Sequence, residues 1–291
     1  MIIDSHTHIF TNKVIAGGCA QEELTALLQL DAKLAPERTS VEILQRESRA
    51  GGVSACLLLP VSPTTEVTKT NSAFMKMAAG TDSIYTAGNL HPHCKNIEAE
   101  LYRLHSQGIL IIKLCSYAQR FSPDAPETQT MFKLIAGVAA AVGVRFTVIM
   151  DTFYLASDYL GTPFECVTTP ALLGKLVRTY PELNFVAAHM GGLGAPQELV
   201  DRHLPPASNL YLDTSVAAHT LSERDFLRLL ERHGPAHVIF GTDWPWLSHA
   251  TEVRLIGRLL DKANFTPAEK ELVFCRNIAG LLGIQVSDID I

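Results

Sequence analysis

Short apolar runs alternate along the chain with longer segments in which apolar residues recur at helical spacing. Polar residues, glycine or proline follow each run, which is typical of βα units in a parallel sheet. The runs predict eight strands, at 2–5, 55–60, 84–90, 110–115, 145–150, 184–188, 210–213 and 238–242. The segments between them predict helices at about 41–50, 68–80, 96–107, 127–142, 168–180, 196–203 and 222–233, with a helical pair after Trp246.

Eight βα units in 291 residues predict an α/β protein whose whole chain, 1–291, forms one (β/α)8 TIM barrel domain. No linker rich in proline or serine, no short-period repeat and no low-complexity tract divides the sequence. The connection at 17–47 is longer than an ordinary βα connection and carries leucines at 24, 27, 28 and 30. It predicts an inserted helix over the barrel mouth.

Composition and charge exclude several classes of partner. Hydrophobic residues make up 47% of the chain and charged residues 19%, which indicates a globular protein with a large core. The net charge is −6 and no basic run occurs, so neither nucleic acid nor an anionic membrane is an expected partner. The sequence lacks a leader-like start, and its six cysteines form no C-x-x-C pair. We expect a cytoplasmic protein that acts on a small molecule, and the sequence is compatible with a homo-oligomer.

Histidines, acids and a lysine stand where the predicted strands end, which is where barrel enzymes carry their chemistry. In the first strand, a period of two places Asp4, His6 and His8 on one face, with both imidazoles near one point. Two histidines so placed can hold one metal ion. The later predicted strands end at His91, Lys113, Asp151, His189, Asp213 and Asp243.

The His6-x-His8 pair is weak on its own, since 11 histidines produce about 0.4 such pairs by chance, and core or solvated histidines would look the same. A second pair, His91-Pro92-His93, predicts a loop, because proline interrupts a strand repeat. Histidine or carboxylate at the ends of strands five, six and eight would complete a ligand set around the first pair. Imidazole with carboxylate suits one divalent ion, preferably zinc, with manganese or iron as alternatives.

Four segments and a C-terminal helix carry a resemblance to a known family. They are D-S-H-T-H at 4–8, the stretch from Lys113 to Pro126, A-A-H-M-G-G at 187–192, G-T-D-W-P at 241–245 and N-I-A-G-L-L at 277–282. Together they resemble the amidohydrolase-related branch of the amidohydrolase superfamily, which contains metal-dependent hydrolases and decarboxylases related to aminocarboxymuconate semialdehyde decarboxylase. The resemblance covers nearly the whole chain and implies a (β/α)8 barrel.

The resemblance implies that the metal is held by the first-strand histidines, a fifth-strand histidine and the eighth-strand aspartate. His6, His8 and Asp243 match this set. The fifth position departs from it, because it falls on Asp151, or on Met150 if the register slips by one. Asp151 is then either an oxygen ligand or a salt-bridged acid at a strand end, and loss of the metal is the further alternative.

The remaining candidates receive roles from their chemistry and from the resemblance. His189 is expected as general acid or base in its neutral form, or else as another metal ligand, and Asp243 as a ligand that also accepts a proton. In some members of the superfamily a carbamylated lysine on the fourth strand bridges two metals, but the missing histidine favours one metal here. Lys113, Arg120 and His91 are expected to bind an anionic substrate, or Lys113 to pair with a neighbouring acid.

Three functions follow as hypotheses. The first is a metal-dependent hydrolase that cleaves an amide, lactone or ester bond of a small anionic substrate through a metal-activated water. The second is a metal-dependent non-oxidative decarboxylase. The third is a metal-free barrel that binds a ligand without turning it over, which the missing fifth-strand histidine suggests.

Overall fold

The computed structural model describes residues 1–62 and 65–288, in which parallel strands alternate with helices. The strands pair in order as two parallel sheets, and two contacts join the last strand region to the first. The Ser5 amide donates to the Phe240 carbonyl at 2.9 Å, and Thr7 forms a parallel bridge with Trp244. The predicted (β/α)8 barrel is therefore confirmed. Its strands are β1 Ile3–Thr7, β2 Ala55–Leu58, β3 Ile84–Thr86, β4 Gly88–Asn89, β5 Ile111–Leu114, β6 Thr147–Met150, β7 Asn184–Ala187, β8 Leu210–Asp213 and β9 Val238–Ile239.

The helices are α1 Asn12–Cys19, α2 Glu22–Leu27, α3 Val41–Ala50, α4 Val67–Ala78, α5 Ile97–Ser106, α6 Ser116–Gln119, α7 Pro126–Val142, α8 Ala156–Leu160, α9 Pro170–Thr179, α10 Gln197–His203, α11 Ala217–Thr220, α12 Glu223–His233, α13 His249–Lys262, α14 Pro267–Glu271 and α15 Asn277–Leu282. The seven helices whose bounds the apolar spacing predicts, α3, α4, α5, α7, α9, α10 and α12, begin and end within a few residues of those bounds, whereas the short α6, α8 and α11 were not predicted. Helices α3, α9, α12 and α13 begin with a side-chain cap; in α12, for example, the Ser222 hydroxyl accepts from the Asp225 amide.

Alternate strand residues face the barrel interior and the surrounding helices. On β5, Ile111 belongs to the interior cluster, whereas Ile112 and Leu114 pack in the cluster under the helices. Ile278 and Leu281 of α15 pack against the interior cluster and close one end of the barrel. The other end, where the strands finish, is left for a site.

A bulge in β1 changes which of its residues face inward. Asp4 pairs with Cys56 and Thr7 with Leu58, so β1 uses one residue more than β2 over this stretch. Ile3 faces the interior, Asp4 faces the helices, and His6 beyond the bulge faces the interior again. The expectation that Asp4 shares a face with the histidines is therefore wrong, because the extra residue breaks the period of two.

Two other strand bounds differ from the sequence pattern. The third predicted strand is two short strands on either side of Ala87, and the eighth ends at Ile239 rather than at residue 242. The chain beyond β9 runs close to β1, where a Cβ atom on Gly241 would lie 2.8 Å from the Cβ of His6. Glycine at 241 therefore permits the close approach that closes the barrel.

The inserted segment lies over the barrel mouth, as its length predicts. It contains the end of α1 and the whole of α2, and Leu24 and Leu28 pack in one cluster with Phe153, Val216 and Leu247 at the ends of the strands. The domain bounds of 1–291 stay a prediction, since 63–64 and 289–291 lie outside the described residues.

No helix in the described ranges combines the length and the apolar character that a membrane crossing requires.

Candidate metal centre and active site

Three side chains converge where β1 and the loop after β9 meet, and we call them the mouth triad: His6, His8 and Asp243. The two Nε2 atoms lie 3.2 Å apart, and Asp243 Oδ1 lies 3.7 Å from the first and 3.5 Å from the second. Ligand atoms at about 2.0–2.1 Å from a tetrahedral ion are separated by about 3.3 Å. The donor set of the mouth triad therefore fits a divalent ion in both chemistry and spacing.

Hydrogen bonds at the far side of each ring direct the mouth-triad imidazoles. His6 Nδ1 donates to Asp213 Oδ2 at 2.8 Å, and His8 Nδ1 donates to the Leu59 carbonyl at 2.8 Å. Each bond leaves an Nε2 lone pair directed at the centre of the triad, as metal-binding histidines require. Burial, together with the nearby charges of His6 and Lys113, holds the pKa of His8 well below its usual value, so this ring is in its neutral, ligating form.

Asp243 is the most exposed member of the mouth triad, with 14% of its side chain accessible. Its φ of 65° lies in the left-handed region, and its amide donates to the His6 carbonyl at 2.8 Å. Burial raises the pKa of Asp243 to about 6. This carboxylate can therefore gain or lose a proton near neutral pH.

Lys113 and Asp151 form a buried ion pair beside the mouth triad. Lys113 Nζ lies 3.2 Å from Asp151 Oδ2 and 3.4 Å from His6 Nε2, and the lysine is fully buried. Burial opposes the charged form of each residue, but their mutual attraction prevails and shifts the pKa of the lysine up and that of the aspartate well down. The structure also settles the register, since Met150 packs under the helices and Asp151 faces the site.

His189 follows β7 with a φ of 55°, also in the left-handed region. Its Nδ1 lies 3.0 Å from the Ser215 carbonyl and its Nε2 lies 3.7 Å from Asp151 Oδ1. Burial alone would lower the pKa of His189, but Asp151 and the other acids raise it to about 9. Three aspartates therefore favour the imidazolium form of His189, whereas the sequence suggested a neutral ring. Strained backbone at both His189 and Asp243 is typical of functional sites.

Asp213 and Ser215 support the site from behind, and only Asp213 was noticed in the sequence. Asp213 accepts from the ring of His6 and, at 2.9 Å, from the His189 amide. Burial opposes its charge, yet His6, His189 and Ser215 hold the pKa of Asp213 below its usual range. Ser215 Oγ lies 3.1 Å from His6 Nδ1 and 2.9 Å from His189 Nδ1. A serine two residues after a strand end gives no signal in the sequence.

A cavity of about 310 Å³ opens above these residues. Its floor carries His8, Asp151, His189 and Asp243. Apolar and aromatic side chains form its walls and roof, and Tyr117 and Cys115 also reach it. Burial raises the pKa of the Cys115 thiol, which stays protonated and is a poor nucleophile. The lining side chains include Phe10, Val14, Leu24, Leu28, Leu30, Phe153, Leu160, Leu193 and Trp246.

None of the three predicted substrate-binding residues lines this cavity, since Lys113 is fully buried beside Asp151 and the other two lie elsewhere. Arg120 ends α6 in the left-handed conformation, with a φ of 55°, and its side chain is exposed. His91 is buried, but its Nε2 contacts the Gln119 carbonyl at 3.1 Å and its Nδ1 accepts from the His93 amide. The structure therefore brings Lys113 to the site and leaves Arg120 and His91 outside it.

A second cluster lies behind β1, and we call it the buried triad: Asp4, Cys56 and His249. His249 Nε2 lies 3.2 Å from Asp4 Oδ2 and 3.8 Å from Cys56 Sγ. Asp4 Oδ1 also accepts from the amides of His6 at 2.9 Å and Thr242 at 3.0 Å. The buried triad therefore joins β1, α13 and the loop that carries Asp243.

Comparisons with known proteins agree with this architecture. A family model described as Amidohydrolase matches residues 121–284, more than half of the chain, and this segment contains Asp151, His189 and Asp243. No curated protein matches the chain.

Similar solved structures extend over almost the whole chain. A TIM-barrel protein from Bordetella bronchiseptica is 17% identical, with 97% of this chain and 98% of that chain covered and a TM-score of 0.71. An amidohydrolase from Burkholderia multivorans with bound zinc is 12% identical, with 98% and 100% covered and a TM-score of 0.67. A 5-carboxyvanillate decarboxylase from Sphingomonas paucimobilis is 16% identical, with 98% and 99% covered and a TM-score of 0.65. At these identities the likeness shows the fold.

Proposed function

The chain belongs to the Amidohydrolase family, and from this premise we propose that it is a metal-dependent hydrolase that cleaves an ester, lactone or amide bond of a small molecule. The observation that carries the proposal is the mouth triad, whose three ligand atoms have metal-ligand spacing and open into a cavity. His6, His8 and Asp243 would hold the ion. Zinc suits two imidazoles and a carboxylate, with manganese or iron as alternatives.

A divalent ion bound there would polarise a carbonyl group and lower the pKa of a water molecule. The protein's own residues handle the protons. Asp243, with its pKa of about 6, accepts a proton from water near neutral pH. His189, held as an imidazolium by Asp151, stabilises negative charge on the substrate oxygen and donates to the leaving group.

Lys113 and Asp151 set the charge of the site. The Lys113 ammonium lies 3.2 Å from Asp151 and balances one of the carboxylates around the mouth triad. Asp151 in turn faces His189 and keeps its proton in place. In this proposal Asp151 acts through His189 and Lys113, and its service as a further metal ligand stays a prediction.

A non-oxidative decarboxylase is the second candidate, and the raised pKa of His189 favours it, since an imidazolium at the floor could also protonate a carbon atom. Three of the similar structures are decarboxylases, one for 5-carboxyvanillate and two for 2,6-dihydroxybenzoate. A metal-free binding barrel is the third candidate, and metal analysis separates it from both. The cytoplasmic location and the homo-oligomer stay predictions.

Metal content and the variant His189→Ala test the proposal together. We expect about one equivalent of ion by emission spectroscopy in protein purified without chelator, and hydrolysis within a panel of neutral esters and lactones. His189→Ala should keep the ion and lose about 10²–10⁴-fold in kcat, since it removes a proton donor. Carbon dioxide release without hydrolysis would favour the decarboxylase. Joint loss of ion and activity in His189→Ala would make His189 a ligand.

A further inference from the structure

The cavity wall above the reacting residues is mostly apolar, and Gln21, between α1 and α2, adds one uncharged amide to it. α1 and α2 contribute Val14 and Leu24 from the roof, and Phe153 and Leu193 lie at the strand ends. Trp246 and Phe10 complete the wall, with ring centroids 5.9 Å apart. The histidine and carboxylate side chains of the cavity all lie on its floor: His8, Asp151, His189 and Asp243.

No lysine or arginine lines the cavity within the described residues. The five residues outside those ranges are Pro63, Thr64, Ile289, Asp290 and Ile291, and none of them is basic. Lys13 lies on α1, but it is exposed and does not line the cavity. A substrate carboxylate that lies above the floor would therefore lose its hydration and find no cationic side chain to pair with. Such desolvation is costly among apolar side chains.

The size of the cavity limits what can occupy it. An apolar cavity of about 150 Å³ holds benzene, so a volume of about 310 Å³ accommodates one aromatic ring with a short substituent. The aromatic side chains of the wall offer edge and face contacts to such a ring.

We propose that the part of the substrate beyond the reacting bond is uncharged and apolar, an aryl or branched alkyl group of about one ring. This inference deepens the proposed function and rests on it, because it takes the floor as the reacting end. It replaces the expectation of an anionic substrate, which depended on cationic side chains that do not line the cavity.

The test compares ligands that differ only in the charge of the tail. Benzohydroxamate and its para-carboxylate derivative share a metal-binding head, and acetophenone and 4-acetylbenzoate form a second pair that needs no metal. Titration calorimetry on the protein as purified should show the neutral member of each pair binding at least about tenfold more tightly. The second pair keeps the test valid whatever the metal content.

A lysine at the rim provides the matched variant. Val14 lines the cavity and is 49% exposed, so Val14→Lys places a cation at the mouth without disturbing the core. In this variant the ratio of the affinity for the neutral ligand to that for its carboxylate derivative should fall by about tenfold. Leu27→Lys adds the same charge on α2 at a residue that is 41% exposed and outside the cavity lining, and it should change nothing.

The outcomes separate this inference from the proposed function. Equal or tighter binding of the carboxylates, or no binding of any probe, overturns the inference. If the purified protein contains no ion but still binds acetophenone more tightly than 4-acetylbenzoate, the proposed function is overturned and the inference about the apolar tail is retained.

Discussion

The mouth triad and the buried triad draw on the same strand, two residues apart, and each brings a histidine and a carboxylate within reach of a common ion. They differ in access and in how their atoms are already used. The mouth triad opens to a cavity and has two Nε2 lone pairs directed at one point. The buried triad is sealed, and both oxygens of Asp4 already accept hydrogen bonds. Proximity of ligand types alone therefore does not make a metal site.

Protonation separates the two clusters further. Burial raises the pKa of the Cys56 thiol well above its usual value, so an ion bound there would have to displace the thiol proton. Burial instead lowers the pKa of His8 and leaves that ring ready to ligate. The same physical cause thus opposes the ligating form of Cys56 and favours that of His8.

The largest effect is expected for Asp4→Ala in the buried triad. The substitution leaves His249 and Thr242 without their partner inside the protein, which should cost about 3–5 kcal/mol in the free energy of unfolding. Urea denaturation measures this loss. Cys56→Ala is the control, since it removes a buried sulfur and should cost only about 1 kcal/mol. Equal costs for the two variants would contradict the structural role of Asp4.

His8→Ala in the mouth triad should lower the affinity for the metal ion and leave the stability of the fold almost unchanged. We expect zinc affinity to fall by more than about 100-fold, because a ligand atom is lost, while the thermal midpoint of the metal-free protein barely changes. Chelator competition and a thermal melt report the two quantities. His249→Ala serves as the control, and this variant should retain zinc. Full zinc occupancy in His8→Ala would contradict the assignment of a metal site to the mouth triad.

Asp213→Asn tests how far the orientation of His6 matters. The amide keeps the shape of the carboxylate but weakens the bond to His6 Nδ1, so zinc affinity should fall by about 10–100-fold. Chelator competition at fixed pH measures it. Unchanged affinity would show that the His6 ring needs no anionic partner.

The smallest effect is expected when Asp151 is replaced, and it concerns the selectivity of the site for zinc over manganese. Replacing the Lys113–Asp151 pair by Lys113→Met with Asp151→His offers a third imidazole without leaving a buried charge unpaired. Preference for zinc over manganese should rise by about tenfold or less, since imidazole is the softer ligand. Competition titrations against Lys113→Met alone decide it. An unchanged ratio would place residue 151 outside the coordination sphere.

The order of elements could be predicted from the sequence because hydrophobic spacing controls it. Helix α3 begins and ends where the pattern places it, and the inserted segment covers the mouth as its length implies. The bulge in β1 could not be predicted, because no residue in D-S-H-T-H marks it, and it turns Asp4 away from His6.

The candidate site was predictable only in part. His6, His8, Lys113, Asp151, His189 and Asp243 come together because parallel strands finish at one end of the barrel. Arg120 lies outside because a left-handed residue ends α6 and directs its side chain to solvent. Ser215 and Tyr117 escaped notice, since a hydroxyl after a strand or a short helix has no distinguishing pattern.

The seam between β1 and the chain beyond β9 has a consequence for how the protein is made. Ser5 and Phe240, which bond across it, are 235 positions apart, and the mouth triad spans the same seam. The ribosome must therefore release the chain beyond β9 before Asp243 can join His6 and His8. Until then, His6 and His8 in the growing chain would bind zinc no more tightly than a free His-x-His peptide. An ion bound after folding would stabilise the contact between the first and last strands of the barrel.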